Sequence, residues 1–247
     1  MEDINYWDNS QYQYCAYAER LLNELILLNT KVKQPIDIDV VKKGIYYAKK
    51  YHGSQMRQSG EPYYSHPIEV AYMVAQYTAL ELPQYFRADM IVTALLHDTI
   101  EDTPLTEKMI AYIFGSQVAS QVQDLTRIKI DRKISAGETV NLLFSQYKKD
   151  VLHIKLFDRL HNLRTISAKS LEKIKKIIEE TLAHFIPLSI YLGLNKITEE
   201  LERLCLTALI SNNLLNLDLF EDNFLLLSLG FQNDLIQMQN QELQESL

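Results

Sequence analysis

The sequence predicts an all-α protein, and three observations support this prediction. Glycine and proline are scarce, with 7 and 6 copies in 247 residues. Neither occurs between Gly137 and Pro187, an interval that strands and hairpins would normally interrupt with turn residues. Apolar side chains also recur at roughly helical spacing, for example along residues 151–163. We therefore expect helices joined by short polar segments.

The predicted helices follow one another along most of the chain. They cover residues 10–28, 37–52, 68–76, 85–97, 106–114, 116–126, 138–149, 151–169, 171–191 and 196–208. Asp37 or Asp39 could cap the second helix. The one clear loop of the N-terminal half, residues 53–67, contains Gly53, Gly60, Pro62 and Pro67. Without a repeat or a linker, we expect one domain over residues 1–212 and an appendage over 213–247, Leu-rich and then Gln/Glu-rich.

Composition limits the classes of function. The hydrophobic share of 47% and the charged share of 23% are typical of a soluble globular protein. The net charge of −7 disfavours nucleic acid as a partner, because such binding needs a basic surface. No apolar run is long enough to span a membrane, and the acidic N-terminus does not resemble a signal peptide. Cys15 and Cys205 show no C-x-x-C spacing, so we expect a reduced, cytoplasmic location.

Residues 94–103 read ALLHDTIEDT and end an apolar run with a dense polar group. His97 and Asp98 are adjacent, and Glu101 and Asp102 follow within one helical turn. Taken alone, Glu101 and Asp102 would be typical of a solvated helix end. Adjacent His and Asp side chains diverge by about 100° within a regular helix, but they can converge where the helix ends.

Two further residues complete a candidate metal site. His66 lies in the predicted loop before a helix, and Asp158 lies on a later helix. Two imidazoles and two carboxylates from three segments suit Mn²⁺, Fe²⁺ or Zn²⁺, whereas Ca²⁺ prefers oxygen ligands alone. The alternative for Asp158 is a pairing with Arg159 or Arg164 on an exposed helix face.

Several long motifs resemble one known family. They read HGSQMRQSGEPYYSHPIEVAYMV, ALLHDTIEDTPLT, FGSQVASQVQDLTRI, IKLFDRLHNLRTI and FIPLSIYLGLNKITEELERL. In order and wording they resemble the hydrolase domain of the bifunctional RelA/SpoT proteins, within the HD superfamily of metal-dependent phosphohydrolases. Those proteins make and degrade the alarmone (p)ppGpp. The resemblance covers about Val40 to Leu209.

The resemblance implies a fold, an activity and a metal site. The metal, typically Mn²⁺, would be bound by His66, His97, Asp98 and Asp158. Glu101 and Asp102 would position and deprotonate the attacking water. The reaction implied is removal of the 3′-pyrophosphate from ppGpp or pppGpp, which gives GDP or GTP and pyrophosphate. A divalent cation suits this reaction, because it makes water more acidic and neutralises phosphate charge.

The resemblance also implies residues that bind the guanine nucleotide. Arg57 would pack against the guanine, and Ser59 lines the same loop. Between them stands Gln58, where the family usually has a basic residue that meets 5′-phosphates; the change could weaken affinity or relax substrate choice.

Two further nucleotide contacts are implied on the later helix. Asn162 and Thr165 match positions that hold the ribose and the 3′ side of the nucleotide. Independently of the resemblance, Asp158, Asn162 and Thr165 share the spacing of one helix face. His161 borders that face and could be a partner of a metal ligand.

The chain departs from the family pattern in other places. The segment after residue 212 is too short for a synthetase domain, so we expect no alarmone synthesis. The interval from His66 to His97 looks longer than usual, and residues 135–150 lack a common Arg-Lys pair.

Two alternatives to an alarmone hydrolase remain open. One is an HD phosphohydrolase that acts on another phosphorylated nucleotide. The other is a catalytically silent binding module, although Glu101, Asp102 and all four ligands are present. The sequence leaves the oligomeric state open.

Overall fold

The structure, a computed structural model, describes residues 15–127 and 132–214 and confirms the all-α prediction. Within these ranges no β-strand forms, and an isolated bridge joins Met56 and Pro62. The helices are α1 Ala16–Asn29, α2 Ile38–His52, α3 Ser65–Glu81, α4 Ala88–Leu96, α5 Thr99–Asp102, α6 Glu107–Phe114, α7 Ser116–Leu125, α8 Ala136–Ser145, α9 Lys149–Arg164, α10 Leu171–Glu180, α11 Ile186–Tyr191 and α12 Asn195–Ser211. In these same ranges, no helix has both the length and the apolar character needed to cross a bilayer.

The chain divides into two compact units. Among the described residues, the first unit contains 15–127, 132–135 and 143–161, and the second contains 136–142 and 162–214. Helices α8 and α9 each contribute to both units. Residues 10–14 of the first predicted helix and residues 215–247 of the predicted appendage lie outside the described residues. The predicted division after residue 212 therefore stays a prediction.

Caps and glycines account for the ends of α2 and α6 in the first unit. Asp37 caps α2 by accepting a hydrogen bond from the backbone N–H of Asp39 at 2.9 Å. Thr106 caps α6 in the same manner. The two helices end at Gly53 and Gly115, whose φ angles of +50° and +93° are accessible to glycine without steric cost.

Helix α4 lies at the centre of the first unit. Every side chain from Met90 to Leu96 is buried, and the helix packs against α2, α3 and α7. Burial of each large aliphatic side chain contributes roughly 1.5–3 kcal/mol relative to exposure. Helix α3 also contacts α1, and its Tyr77 ring lies 5.6 Å from the Phe157 ring of α9. The position of the residues that directly follow α4 is therefore set by a well-packed core.

The start of α3 corrects one prediction. Helix α3 begins at Ser65, so His66 is its second residue and does not lie in the preceding loop. The sequence suggests a break at Pro67, but the first turn of a helix tolerates proline, because its N–H groups have no partner within the helix. The helix also continues to Glu81, beyond the predicted end at residue 76.

The predicted helix over residues 138–149 is also wrong, because α8 ends at Ser145 and α9 begins at Lys149. Tyr147 adopts a φ of +56°, its N–H donates to the Phe144 carbonyl, and the N–H of Lys148 donates to the Leu143 carbonyl. This pair of bonds is a Schellman motif, which ends a helix and usually has glycine at the left-handed position. No glycine or proline marks this end in the sequence.

In the second unit, the predicted helix over residues 171–191 is interrupted. A π-helical turn, Thr181–Phe185, separates α10 from α11. Pro187 explains the interruption, because it has no N–H and its ring would clash with the carbonyl of Ala183 in a regular helix. Helices α11 and α12 then pack together, and a hydrogen bond of 2.8 Å joins the hydroxyls of Ser189 and Thr198.

Gly137→Ala is expected to destabilise the second unit. A Cβ atom at this position would contact the imidazole ring of His184, which belongs to the π-helical turn. Alanine normally stabilises a helix by roughly 0.5–1 kcal/mol over glycine, but overpacking costs about 1–3 kcal/mol. Thermal unfolding should show a lower Tm. The same substitution in a His184→Ala background should no longer lower Tm, and an equal loss in both backgrounds would contradict this explanation.

Candidate metal centre

A two-residue joint separates α4 from α5. Helix α4 ends at Leu96 and α5 begins at Thr99, so His97 and Asp98 lie outside a regular helix. The Thr99 hydroxyl donates a hydrogen bond of 2.7 Å to the Leu96 carbonyl and so stabilises the turn formed by these two residues. In this geometry the Nε2 of His97 lies 3.2 Å from an Oδ of Asp98. The two adjacent side chains therefore point to a common position.

Two other helices bring side chains to the same position. His66 of α3, His97 and Asp158 of α9 each place one ligand atom within 4.8 Å of the others. The Nε2 of His66 lies 3.2 Å from Asp158 and 3.6 Å from Asp98. His66 and His97 are each only 2% exposed, and Asp158 is 8% exposed. Three of the predicted ligands, His66, His97 and Asp158, thus form one buried group. The fourth, Asp98, lies beside both histidines but approaches them through different carboxylate oxygens.

The His97 ring shows that the cluster fits a cation. Its Nδ1 donates to the Ala94 carbonyl at 2.8 Å, so in the neutral ring the lone pair lies on Nε2. Among the described residues that buried Nε2 makes no contact with hydrogen-bond geometry, although a carboxylate oxygen of Asp98 lies 3.2 Å away. An unsatisfied buried polar atom costs about 1–3 kcal/mol, and a bound cation would satisfy it. Two nitrogens and two carboxylates form a donor set for a divalent transition metal.

The electrostatics of the cluster also favour a positive charge. Burial alone would lower the pKa of His97, but Asp98 and Asp158 outweigh it and raise that pKa to about 10. Burial would raise the pKa of Asp98, yet the neighbouring His97 holds it below the usual value. For Asp158, Lys155 is the main group that lowers the pKa against the effect of burial. A cation that entered would replace a proton held by the same groups.

Helix α9 supplies partners to two of the ligands. The Nζ of Lys155 lies 3.0 Å from Oδ2 of Asp158, and both side chains are buried. The Nδ1 of His161 lies 2.8 Å from the Nδ1 of His66. The sequence analysis missed Lys155, although its spacing of three residues from Asp158 is the signal of neighbours on one helix face.

Tyr63 links the cluster to Asp102. Its hydroxyl lies 2.8 Å from Oδ2 of Asp102 and 3.0 Å from Oδ2 of Asp98, and its single proton serves one carboxylate at a time. The Tyr63 ring stacks on buried His52 at 4.6 Å. Desolvation and the charge of Asp98 raise the pKa of Asp102, although the Tyr63 hydrogen bond opposes them. The sequence analysis missed Tyr63, which lies three residues before His66.

Glu101 has different surroundings from Asp102. Its carboxylate accepts hydrogen bonds from the backbone N–H of Arg127 at 3.2 Å and from the guanidinium at 2.8 Å. Lys133 forms a second ion pair with it at 2.5 Å. Burial alone would raise the pKa of Glu101, but hydrogen bonds from Lys133 and Arg127 outweigh burial and lower it. Glu101 is thus a paired carboxylate, and the sequence did not reveal either partner.

The predicted guanine-binding residues lie in the loop between α2 and α3. Within it the N–H of Arg57 donates to the Glu61 carbonyl at 2.8 Å. Gln58 and Ser59 are exposed at the tip, and Arg57 is half-buried. Two hydrogen bonds connect this loop to residues 98–102. The Tyr63 hydroxyl contacts the Asp98 carboxylate, and the Gln55 side chain donates to the Asp102 carbonyl at 2.9 Å.

Asn162 and Thr165 belong to the second unit. Asn162 lies in the last turn of α9, and both residues are half-buried. The helix ends at Arg164, so Thr165 does not continue the helix face that the sequence suggested. Arg164 pairs with Glu200 of α12, and Lys155 of α9 pairs with Asp158. Asp158 is only 8% exposed, so it does not lie on an exposed helix face.

A family model described as HD domain matches residues 44–195, which is more than half of the chain. The chain belongs to the HD domain family. The matched residues of this chain include the four candidate ligands together with Glu101 and Asp102.

Relatives of this HD domain confirm the predicted resemblance. The chain is 37% identical over 187 residues to a GTP pyrophosphokinase rsh of Brucella ovis, which covers 73% of the chain and 24% of that relative. It is 38% identical over 171 residues to a guanosine-3′,5′-bis(diphosphate) 3′-pyrophosphohydrolase of Aquifex aeolicus, covering 68% of the chain and 24% of the relative. The chain thus spans about a quarter of the length of these relatives.

A solved structure shares the fold of the HD domain. It is described as a metazoan ortholog of SpoT that hydrolyzes ppGpp and plays a role in starvation responses. The match has a TM-score of 0.52 and 21% identity, and it covers 67% of this chain and 93% of the other. At this identity the likeness shows a common fold.

Proposed function

We propose that this HD domain is a divalent-metal-dependent hydrolase that removes the 3′-pyrophosphate of ppGpp or pppGpp. The products are GDP or GTP and pyrophosphate. The observation that carries the proposal is the buried group of His66, His97 and Asp158. Asp98 lies 3.6 Å from His66 and 3.2 Å from His97, and Tyr63 links Asp98 to Asp102. The similarity to the Aquifex aeolicus 3′-pyrophosphohydrolase supports the choice of substrate.

In this proposal the four converging residues bind Mn²⁺. The donor set of two imidazoles and two carboxylates also suits Fe²⁺ and Zn²⁺. The bound cation supplies Lewis acidity, which neutralises phosphate charge and makes a water molecule more acidic. Lys155 keeps Asp158 ionised, because its ammonium group occupies the Oδ2 side at 3.0 Å.

Asp102 is the proton acceptor in the proposed reaction. Water attacks the phosphorus that is bonded to the 3′-oxygen, and the bond between these two atoms breaks. One water proton moves to the Asp102 carboxylate, and the leaving 3′-oxygen takes up a proton from solvent, so that the products are a 3′-hydroxyl and pyrophosphate. Asp102 suits this role because it is exposed to solvent and its pKa is raised. Tyr63 orients the carboxylate through its hydroxyl. Glu101 is a weaker base, and its role is to hold Arg127 and Lys133 beside the α5 turn.

The substrate contacts remain as the resemblance implies. Arg57 packs against the guanine, with Gln58 and Ser59 in the same loop, while Asn162 and Thr165 hold the ribose and the 3′ side. Two of the loop residues are exposed, so a nucleotide can reach them without rearrangement of the core. Local positive charge from Arg57 and the cation offsets the net charge of −7 on the whole chain.

Hydrolysis by the purified protein tests the proposal. With Mn²⁺, ppGpp should give GDP and pyrophosphate, and a chelator should abolish the reaction. GTP, GDP and other phosphorylated nucleotides should react much more slowly. Faster release of phosphate or pyrophosphate from one of those nucleotides would support the alternative of an HD phosphohydrolase with another substrate. Binding of ppGpp without any turnover would instead support a silent binding module.

Gln58→Lys is expected to strengthen substrate binding. The position is exposed, and the family usually has a basic residue there that meets 5′-phosphates. One exposed charge pair contributes roughly 0.2–1 kcal/mol, so KM for ppGpp should fall by about 1.5–5-fold while kcat stays the same. The gain should shrink as salt is added. Gln58→Met is the matched neutral control, because it changes the same exposed side chain without adding a charge. A lysine at Gln55 is not a suitable control, since Gln55 donates a hydrogen bond to the Asp102 carbonyl.

A further inference from the structure

His66 and His161 share one buried hydrogen bond. Their Nδ1 atoms lie 2.8 Å apart, and their rings are 4.8 Å apart between centroids. Both side chains are buried, at 2% and 8% exposure. A neutral imidazole has one N–H donor and one lone pair, so one ring must donate through Nδ1 and the other must accept.

The direction of this bond decides whether His66 can bind a cation. If His66 donates, its proton is on Nδ1 and the lone pair of Nε2 faces Asp98 and Asp158. If His161 donates, the proton of His66 is on Nε2, only 3.2 Å from Asp158, and no lone pair faces the cluster. Only the first arrangement provides a ligand, because metals bind the unprotonated ring nitrogen.

We infer that His161 is a positioning residue. Its Nδ1 accepts a hydrogen bond from the Nδ1–H of His66, and this bond holds His66 in the tautomer whose Nε2 can bind a cation. The inference rests on the metal site of the proposed function. Asp158 and His161 are three residues apart on α9, so one helix supplies both a ligand and the partner of a second ligand. The shared helix keeps the spacing between them constant. Partners of this kind set the orientation and the basicity of a metal-binding imidazole.

Replacement of His161 tests the inference through Mn²⁺ affinity. Isothermal titration should show that His161→Leu binds Mn²⁺ about 10–100-fold more weakly than the unmodified protein, the usual loss when such a partner is removed. His161→Asn should recover most of the affinity, because its amide oxygen can accept the bond from His66. His153→Leu is the matched control: it removes another buried imidazole of α9, whose Nδ1 bonds to the Lys149 carbonyl, and should leave Mn²⁺ affinity unchanged.

The tautomer itself can be observed in the unmodified chain. With diamagnetic Zn²⁺ bound, ¹⁵N NMR should show the ring proton of His66 on Nδ1 and an unprotonated Nδ1 on His161. Unchanged Mn²⁺ affinity in a folded His161→Leu variant, or a His66 without a proton on Nδ1, would overturn the inference. If His161→Leu fails to fold, the NMR result decides alone. Neither measurement uses ppGpp, so a failure of the proposed substrate is distinguishable from a failure of this inference.

Discussion

Asp102→Asn is expected to lower the turnover of ppGpp by about 10²–10⁴-fold, the usual contribution of a general base. The amide cannot accept a proton from water, but its oxygen can still accept the hydrogen bond of Tyr63, so the local packing should persist. Mn²⁺ affinity should stay within a small factor of the original value, because Asp102 is not among the proposed ligands. Steady-state kinetics and isothermal titration measure the two quantities.

Glu101→Gln provides the contrast to Asp102→Asn. The Glu101 side chain is only 6% exposed and pairs with Arg127 and Lys133, so its neutralisation should lower thermal stability as well as activity. Asp124→Asn, which breaks a partly exposed pair with Lys148, controls for the loss of an aspartate charge. Normal turnover in Asp102→Asn, together with loss of turnover in a stable Glu101→Gln variant, would reverse the proposed assignment of the base.

Asp158→Asn is expected to weaken Mn²⁺ binding by more than the roughly 10–100-fold that accompanies loss of a ligand's partner. The substitution removes a ligand charge, and it also leaves the buried Lys155 ammonium without its carboxylate. Loss of one partner from a buried pair costs about 3–5 kcal/mol of folding free energy. Chemical denaturation in the presence of a chelator should show that loss, and isothermal titration should show the loss of Mn²⁺ affinity.

A double variant separates the two effects. Asp158→Asn with Lys155→Met removes both charges and leaves a side chain of similar length in place of the lysine. Stability should then return towards the original value, because no buried ammonium group remains unpaired. Mn²⁺ affinity should remain low, since the ligand is still missing. Recovery of Mn²⁺ affinity in the double variant would show that Asp158 is not a ligand.

The sequence was sufficient for the helical class and for the residues that could form the site. Scarce glycine and proline and the helical spacing of apolar residues predicted most helices within a few residues. The proposed ligands could be named because two histidines and two aspartates from three segments suit a divalent cation, and because the surrounding motifs resemble a family of metal-dependent hydrolases. Their roles, and the roles of the predicted substrate contacts, stay predictions until they are measured.

Features that depend on tertiary contacts were not predictable. Tyr147, two residues after the end of α8, adopts the left-handed backbone that usually marks a glycine, so no residue type in the sequence indicates this helix end. Lys155 was missed because sequence alone does not show that its ammonium group is buried against Asp158. The partners of Glu101 are 26 or more residues away in sequence, too far for any spacing rule to identify.

The joint between α4 and α5 has a consequence for the strength of cation binding. In the proposed metal site, His97 and Asp98 act as a chelating pair, because these adjacent residues bring two donor atoms within 3.2 Å of each other. The backbone that carries them continues from a fully buried helix, so its conformational freedom is lost when the chain folds and not when the cation arrives. Preorganised donors of this kind bind more tightly than mobile ones. A chain with an unbroken helix from α4 to α5 could retain the same core, but its two donors would diverge by about 100° and the chelate would be lost.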